Sequence, residues 1–219
     1  MTNYLPMPLF RKNRSANSKL EREVSGLVFR NPLGSSSGFK SASFIVTTPP
    51  KDNVITWLSG IKQRHPNHIA VVDIAENFQR LFSLSYDFAD LLVIDPDRDG
   101  GINAMDISDT VNLLDSLLSL RLCYEKYTPV YLTISNKVTP EELQTLLSYC
   151  RLSGIDGIVA QGIAMTKAIL EQSNGRMPVF GTTKDPEEAI QMLNAGASIV
   201  ELDANPLVFR RTLKTLEKQ

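Results

Sequence analysis

Residues 129–160 read PVYLTISNKVTPEELQTLLSYCRLSGIDGIVA, and their pattern decides the fold class. A short β-branched run, Val130–Ile134, is followed by Thr139-Pro140-Glu141-Glu142. That quartet offers an N-cap oxygen, a proline for the first turn and acids against the positive end of a helix dipole. The helix it opens should end at Ser153-Gly154, where glycine closes a last turn without strain. A second apolar run, Gly157–Ala160, comes next, so the stretch is a strand–helix–strand unit of the kind that builds parallel sheets.

The same alternation extends in both directions. Further strands are expected at Leu27–Arg30, Phe44–Thr47, Ile69–Asp73, Leu91–Asp95, Val179–Gly181 and Ser198–Leu202. Helices are expected at Val54–Arg64, Asn77–Phe88, Asp109–Tyr124, Pro140–Ser153, Met165–Gln172, Pro186–Ala195 and Pro206–Glu217. Asp185-Pro186-Glu187-Glu188 repeats the helix-start signal, and Ala195-Gly196 the stop. Eight strands with seven helices are one helix short of a (β/α)₈ TIM-type barrel. The shortage falls between Ser37 and Phe44, where six residues, Gly38–Ser43, replace a helical crossover that needs about a dozen. Six extended residues reach only ~20 Å, enough to return to the barrel floor but not to cover that sector. Either the barrel is incomplete there, or the apolar segment Leu5–Phe10, a second copy of the chain or a protein partner covers the gap. One misjudged strand would instead make the sheet an open, doubly wound one. Residues 1–23 read as an N-terminal extension and 24–219 as one barrel domain.

Composition narrows the classes. The chain has 219 residues, 42% hydrophobic, with 23 basic and 24 acidic side chains and a net charge of −1. This is a globular composition without a basic footprint for nucleic acid or anionic membrane. No apolar run approaches the ~20 residues of a membrane span, and the start of the chain lacks the order of a secretory signal, so a cytoplasmic protein is expected. Cys123 and Cys150 are too few for a disulfide framework and read as partly buried free thiols.

The segment Val24-Ser25-Gly26-Leu27-Val28-Phe29-Arg30-Asn31-Pro32-Leu33-Gly34, followed by Ser35-Ser36-Ser37-Gly38-Phe39, resembles the first strand and flavin-side loop of the dihydroorotate dehydrogenases. Val46-Thr47-Thr48-Pro49 looks like that family's second strand end, Pro129–Ile134 with Thr139–Leu143 like its fifth strand and helix. Gly154–Ala160 resembles its sixth strand, and Ala195–Val200 its eighth. The likeness runs in order over residues 24–212. It implies a TIM barrel that binds FMN at the carboxyl ends of its strands and oxidises dihydroorotate in pyrimidine synthesis.

The positions that carry this chemistry in the family depart from it here. The Ser or Cys base would follow the fourth strand, where this chain has Val93-Ile94-Asp95-Pro96-Asp97-Arg98-Asp99-Gly100-Gly101. The family's third-strand asparagine falls on Asp73, its flavin-side lysine on Thr133, and its Thr-Asn pair on Gln161-Gly162. Where glycines admit the FMN phosphate, the sequence reads Gly181-Thr182-Thr183-Lys184 and Leu202-Asp203-Ala204-Asn205. Asp203 would repel a dianion by a few kcal/mol, which Lys184 and the two threonines offset in part. The expectation is therefore a dihydroorotate dehydrogenase-like barrel with degenerate FMN and catalytic positions, non-catalytic or reassigned to an interaction or ligand-binding role. FMN binding should be weak or lost. The competing expectation is an active FMN oxidoreductase with Asp97 or Asp95 as base and Lys40 or Lys184 near the flavin.

Cofactor contacts, in either case, fall to Ser36, Ser37, Gly38, Thr47, Thr133, Gly181, Thr182, Thr183 and Lys184. No metal is expected: the acids in the mouth loops read as solvated, although clustered carboxylates suit a hard divalent cation. Glu201, within a short apolar strand, should point inward, where a pair such as Lys40 with Asp73 or Asp95 would offset the cost of burying charge. His65 and His68 read as surface residues at the amino end of the barrel. Trp57, beside Ile55, Leu58 and Ile61, should pack on the sheet. Arg210, Arg211, Lys214 and Lys218 read as a solvated face.

Overall fold

A computed structural model describes residues 19–96, 106–134 and 136–219. A short hairpin, β1 (Arg22–Val24) with β2 (Leu27–Phe29), precedes the barrel. The barrel strands are β3 (Leu33–Ser35), β4 (Phe44–Thr47), β5 (Ile69–Ile74), β6 (Leu91–Ile94), β7 (Val130–Ile134), β8 (Gly157–Gln161), β9 (Val179–Thr183) and β10 (Ile199–Leu202). All eight pair in parallel, and β10 closes the ring against β3. The helices are α1 (Val54–Arg64), α2 (Phe78–Ser85), α3 (Ile107–Arg121), α4 (Pro140–Ser153), α5 (Gly162–Ser173), α6 (Pro186–Ala195) and α7 (Pro206–Lys218). The closed ring excludes the open doubly wound sheet. At α4 the expected N-cap is formed and is part of a capping box, with Thr139 and Glu142 bonding each other's backbone N–H groups.

One strand lies elsewhere than the sequence suggests. Leu27–Phe29 is the second arm of the hairpin, and the barrel's first strand is the less apolar Leu33-Gly34-Ser35. The hairpin plugs the amino end of the barrel. Phe29 is fully buried, its ring edge-on to Phe44 at 5.6 Å, and Phe44 stands edge-on to Phe180 at 5.3 Å. These rings join Val71, Leu91, Tyr131 and Ile199 in a core inside the barrel. Gly34 is required there, because a Cβ at that position would run into the Phe44 ring.

The first crossover has no helix, as expected from its length. Residues 36–43 descend directly from β3 to β4, and the loop fills its own sector. Phe39 packs edge-on against Phe209 of α7 at 5.5 Å, while Ala42 and Leu20 are buried in the same cluster. The Asn31 amide donates to Ser41 C=O (3.0 Å), and Arg30 donates to Ala42 C=O (2.6 Å). Leu5–Phe10 lies outside the described residues.

The loop also explains why the two histidines are half-buried instead of surface residues. His68 Nε2–H donates to Phe39 C=O (2.7 Å), the two imidazoles stand edge to face at 5.3 Å, and His65 abuts Gly38. Burial, with smaller contributions from His68 and Arg64, holds His65 below the usual histidine pKa. The unfolded chain therefore takes up a proton near pH 6.5 that the folded chain resists. Stability should be full above that pH and fall as the pH drops below it. Urea midpoints at pH 7.5 and 5.5 should differ less in His65→Asn than in the parent; equal differences would refute the assignment.

Other expectations shift in detail. Cys150 is fully buried, its thiol pushed up to about 12, but Cys123 is exposed. Ile55 is exposed, because α1 turns Val54, Leu58 and Ile61 inward instead. Among the described residues no helix is long and apolar enough to cross a membrane.

Candidate functional site

Strand periodicity sets which side chains enter the barrel mouth. Along β5, Val71 lies in the interior core and Val72 in the helix-facing one, so Asp73, one step further, returns to the interior. The same alternation turns Val93 and Asp95 inward, and with them Thr133, Gln161, Thr182 and Glu201. Above the apolar interior the barrel thus ends in a polar layer. Asp73 and Asp95 are each 4% exposed and Thr133 5%, so they form its floor.

This floor opens into a cavity of about 620 Å³ at the carboxyl ends of the strands. Ser36, Thr47, Thr182, Thr183, Lys184 and Asp203 line its wall, with Asp73, Gln161 and Glu201 below. Trp57 of α1 also reaches it, together with Thr48. The sequence places Trp57 beside Ile55, Leu58 and Ile61, packed on the sheet; Ile55 is exposed, while Trp57 does contact the core that Val54 and Leu58 join. Its second role at the cavity edge has no signal in the one-dimensional pattern.

The remaining candidates fall elsewhere. Ser37 and Gly38 turn down into the crossover, and Ser37 N–H donates to the Ser35 hydroxyl (3.0 Å). Gly181 faces α6, where a Cβ would strike Met192. Lys40 is exposed on the crossover, does not line the cavity and makes no ion pair with another described residue, so the expected pair with Asp73 or Asp95 is not formed. Asp97 and Arg98 lie outside the described residues. Among those described, no three His, Cys, Asp or Glu side chains converge as a metal site.

The heads of α6 and α7 lie beside the cavity, where barrels of this type present backbone N–H groups to phosphate. Here those donors bond within the chain. Asp185 accepts from Glu187 N–H (2.9 Å), and Asn205 accepts from Leu207 and Val208 N–H (3.1 and 3.0 Å). Asp203 N–H donates to Thr183 C=O and Ala204 N–H to Leu202 C=O, each at 3.0 Å. Lys184 faces Asp203 at 3.8 Å, both well exposed, a pairing worth little by itself. The Thr183 hydroxyl is also engaged: it bonds the Glu188 carboxylate, whose other oxygen accepts from Ile163 N–H (2.9 Å) at the head of α5.

Comparison with known proteins finds the following likenesses. No family model matches the chain. The dihydroorotate dehydrogenase (quinone) of Christiangramia forsetii is 24% identical over 85% of this chain and 79% of its own length. The crystal structure of the ligand-free type of that enzyme from Eimeria tenella superposes with a TM-score of 0.74 at 16% identity, covering 98% of this chain and 89% of that one. The Eimeria tenella enzyme in complex with ferulenol gives 0.68 at 17%, covering 84% and 78%.

Proposed function

We propose that this chain, a divergent relative of the dihydroorotate dehydrogenases, is a ligand-binding barrel that has given up flavin chemistry. The observation that carries the reading is the occupation of the phosphate-side donors by Asp185 and Asn205 at the heads of α6 and α7. An FMN phosphate placed there would have to displace two helix caps, each worth about 1 kcal/mol, and would approach Asp203. The residues present do not fit that phosphate.

The cavity floor supports the same reading. Thr133 stands where the resemblance places the flavin-side lysine, and its hydroxyl supplies no positive charge to an anionic reduced flavin. Asp73 stands where the family has a substrate asparagine, and a carboxylate accepts hydrogen bonds but does not donate them as an amide does. The cavity with its polar floor remains, sized for a small molecule. Carboxylates and hydroxyls along its wall suit a neutral or cationic ligand better than a dianion.

Purification in excess FMN tests the reading. The isolated protein should retain no yellow absorbance, and dihydroorotate should produce no spectral change. A stoichiometric flavin bleached by dihydroorotate would overturn the proposal and establish the alternative, an active oxidoreductase in which the buried Asp95 is the available base.

A further inference from the structure

A second concavity, of about 200 Å³, lies between α4 and the end of α5, toward the amino ends of the strands and away from the mouth. Gln144, Leu147, Ser148 and Arg151 reach it from α4, spaced so that they share one helix face. The opposite wall comes from a chain reversal. Asn174 and Gly175 both adopt left-handed conformations (φ 52° and 63°), and the turn is closed by Gly175 N–H to Leu170 C=O (2.9 Å) and Arg176 N–H to Ser173 C=O (3.1 Å). That reversal brings Arg176 back to the cavity that Arg151 borders. Leu147 and Met177, 5% and 7% exposed, supply an apolar base.

Arg151 and Arg176 therefore border one small cavity together with Gln144 and Gln172, and no Asp or Glu lines it. Neither guanidinium makes a hydrogen bond or ion pair with another described residue. In a chain of net charge −1, with acids and bases nearly equal in number, such a bare pair does not follow from composition. The dipole of α4 accounts for an arginine in its last turn. It does not account for a second guanidinium delivered to the same cavity by a left-handed turn.

We propose that this cavity binds a small phosphomonoester. Each planar guanidinium matches two phosphate oxygens, and the dianion neutralises two like charges held in one cavity. The volume, below the ~300 Å³ of typical drug-sized pockets, restricts the organic part to a few atoms and leaves no room for a flavin. The site is separate from the mouth, so its occupancy does not depend on the reading given above.

Titration of the full-length protein with glycerol 3-phosphate and with inorganic phosphate, followed through arginine side-chain NMR signals, tests the proposal. Saturable binding is expected, tighter for the phosphomonoester than for phosphate, and weakened roughly tenfold or more by Arg151→Gln or Arg176→Gln. Both side chains are exposed, so the variants should melt as the parent does, and Lys184→Gln at the mouth should leave the affinity unchanged. A linear response that is equal for phosphate and chloride would overturn the site, as would saturable binding that survives the double substitution.

Discussion

Replacing Phe29 by alanine should lower the free energy of unfolding by about 3–5 kcal/mol, the range for removing a large buried ring. The ring is fully buried and closes the amino end of the barrel against Phe44, which in turn meets Phe180. Collapse cannot refill the space, because Phe44 is held over Gly34 and the other walls are side chains on strands tied into a closed ring. Urea unfolding should show a shifted midpoint with an unchanged slope, since the surface exposed on unfolding is nearly the same. A shift equivalent to less than about 1 kcal/mol would mean that the hairpin is not the plug described. The mouth lies at the other end, so any ligand found there should bind the variant as it binds the parent.

That division between ends explains what the sequence disclosed. The seven strands from β4 onward and all seven helices are legible because short apolar, β-branched runs alternate with amphipathic stretches, several of them opened by a capping residue. The first strand is not, and the reason lies in Gly34. Strand signals come from side chains that fill space, whereas β3 contributes a glycine so that Phe44 can occupy the interior. Leu27–Phe29 has the better pattern because it too packs on the barrel core, but as a plug.

Within the mouth, one residue of register decides the outcome. Asp73, Asp95, Thr133 and Thr182 lie on the interior phase of their strands and reach the cavity or its floor. Gly181 lies on the other phase and meets α6, so its place in a glycine-containing motif says nothing of a ligand. Trp57 carries no signal as a site residue for a different reason: it reaches the cavity only because the closed ring sets α1 beside the mouth, whereas Asn205 and Glu188 act through neighbours close in sequence, the head of α7 and the Thr183 hydroxyl.

Asp156→Ala should cost about 2–4 kcal/mol, somewhat less than the loss of one partner from a fully buried pair, since the Arg121 and Asp156 side chains keep 11% and 14% of their surface exposed. One carboxylate there accepts from Val130 N–H at the start of β7 (2.8 Å), from Arg121 (3.0 Å) and from the Tyr127 hydroxyl. Arg121 also donates to Gly154 C=O (3.0 Å) and lies 4.2 Å over the Tyr127 ring, so Arg121→Met should cost less, about 1–2 kcal/mol. The two substitutions should be strongly non-additive, and the coupling should persist at high salt, unlike that of a surface pair. Urea unfolding of the four proteins at two salt concentrations measures both; additive effects, or a coupling erased by salt, would refute the network. Gly154 closes α4 in a left-handed conformation (φ 87°), Asp156 ties α3 to β7, and Gly157 yields its Cβ space to Tyr131. The Gly154–Ala160 segment, which resembles the sixth strand of the dihydroorotate dehydrogenases, is thus built of residues whose task is the barrel itself.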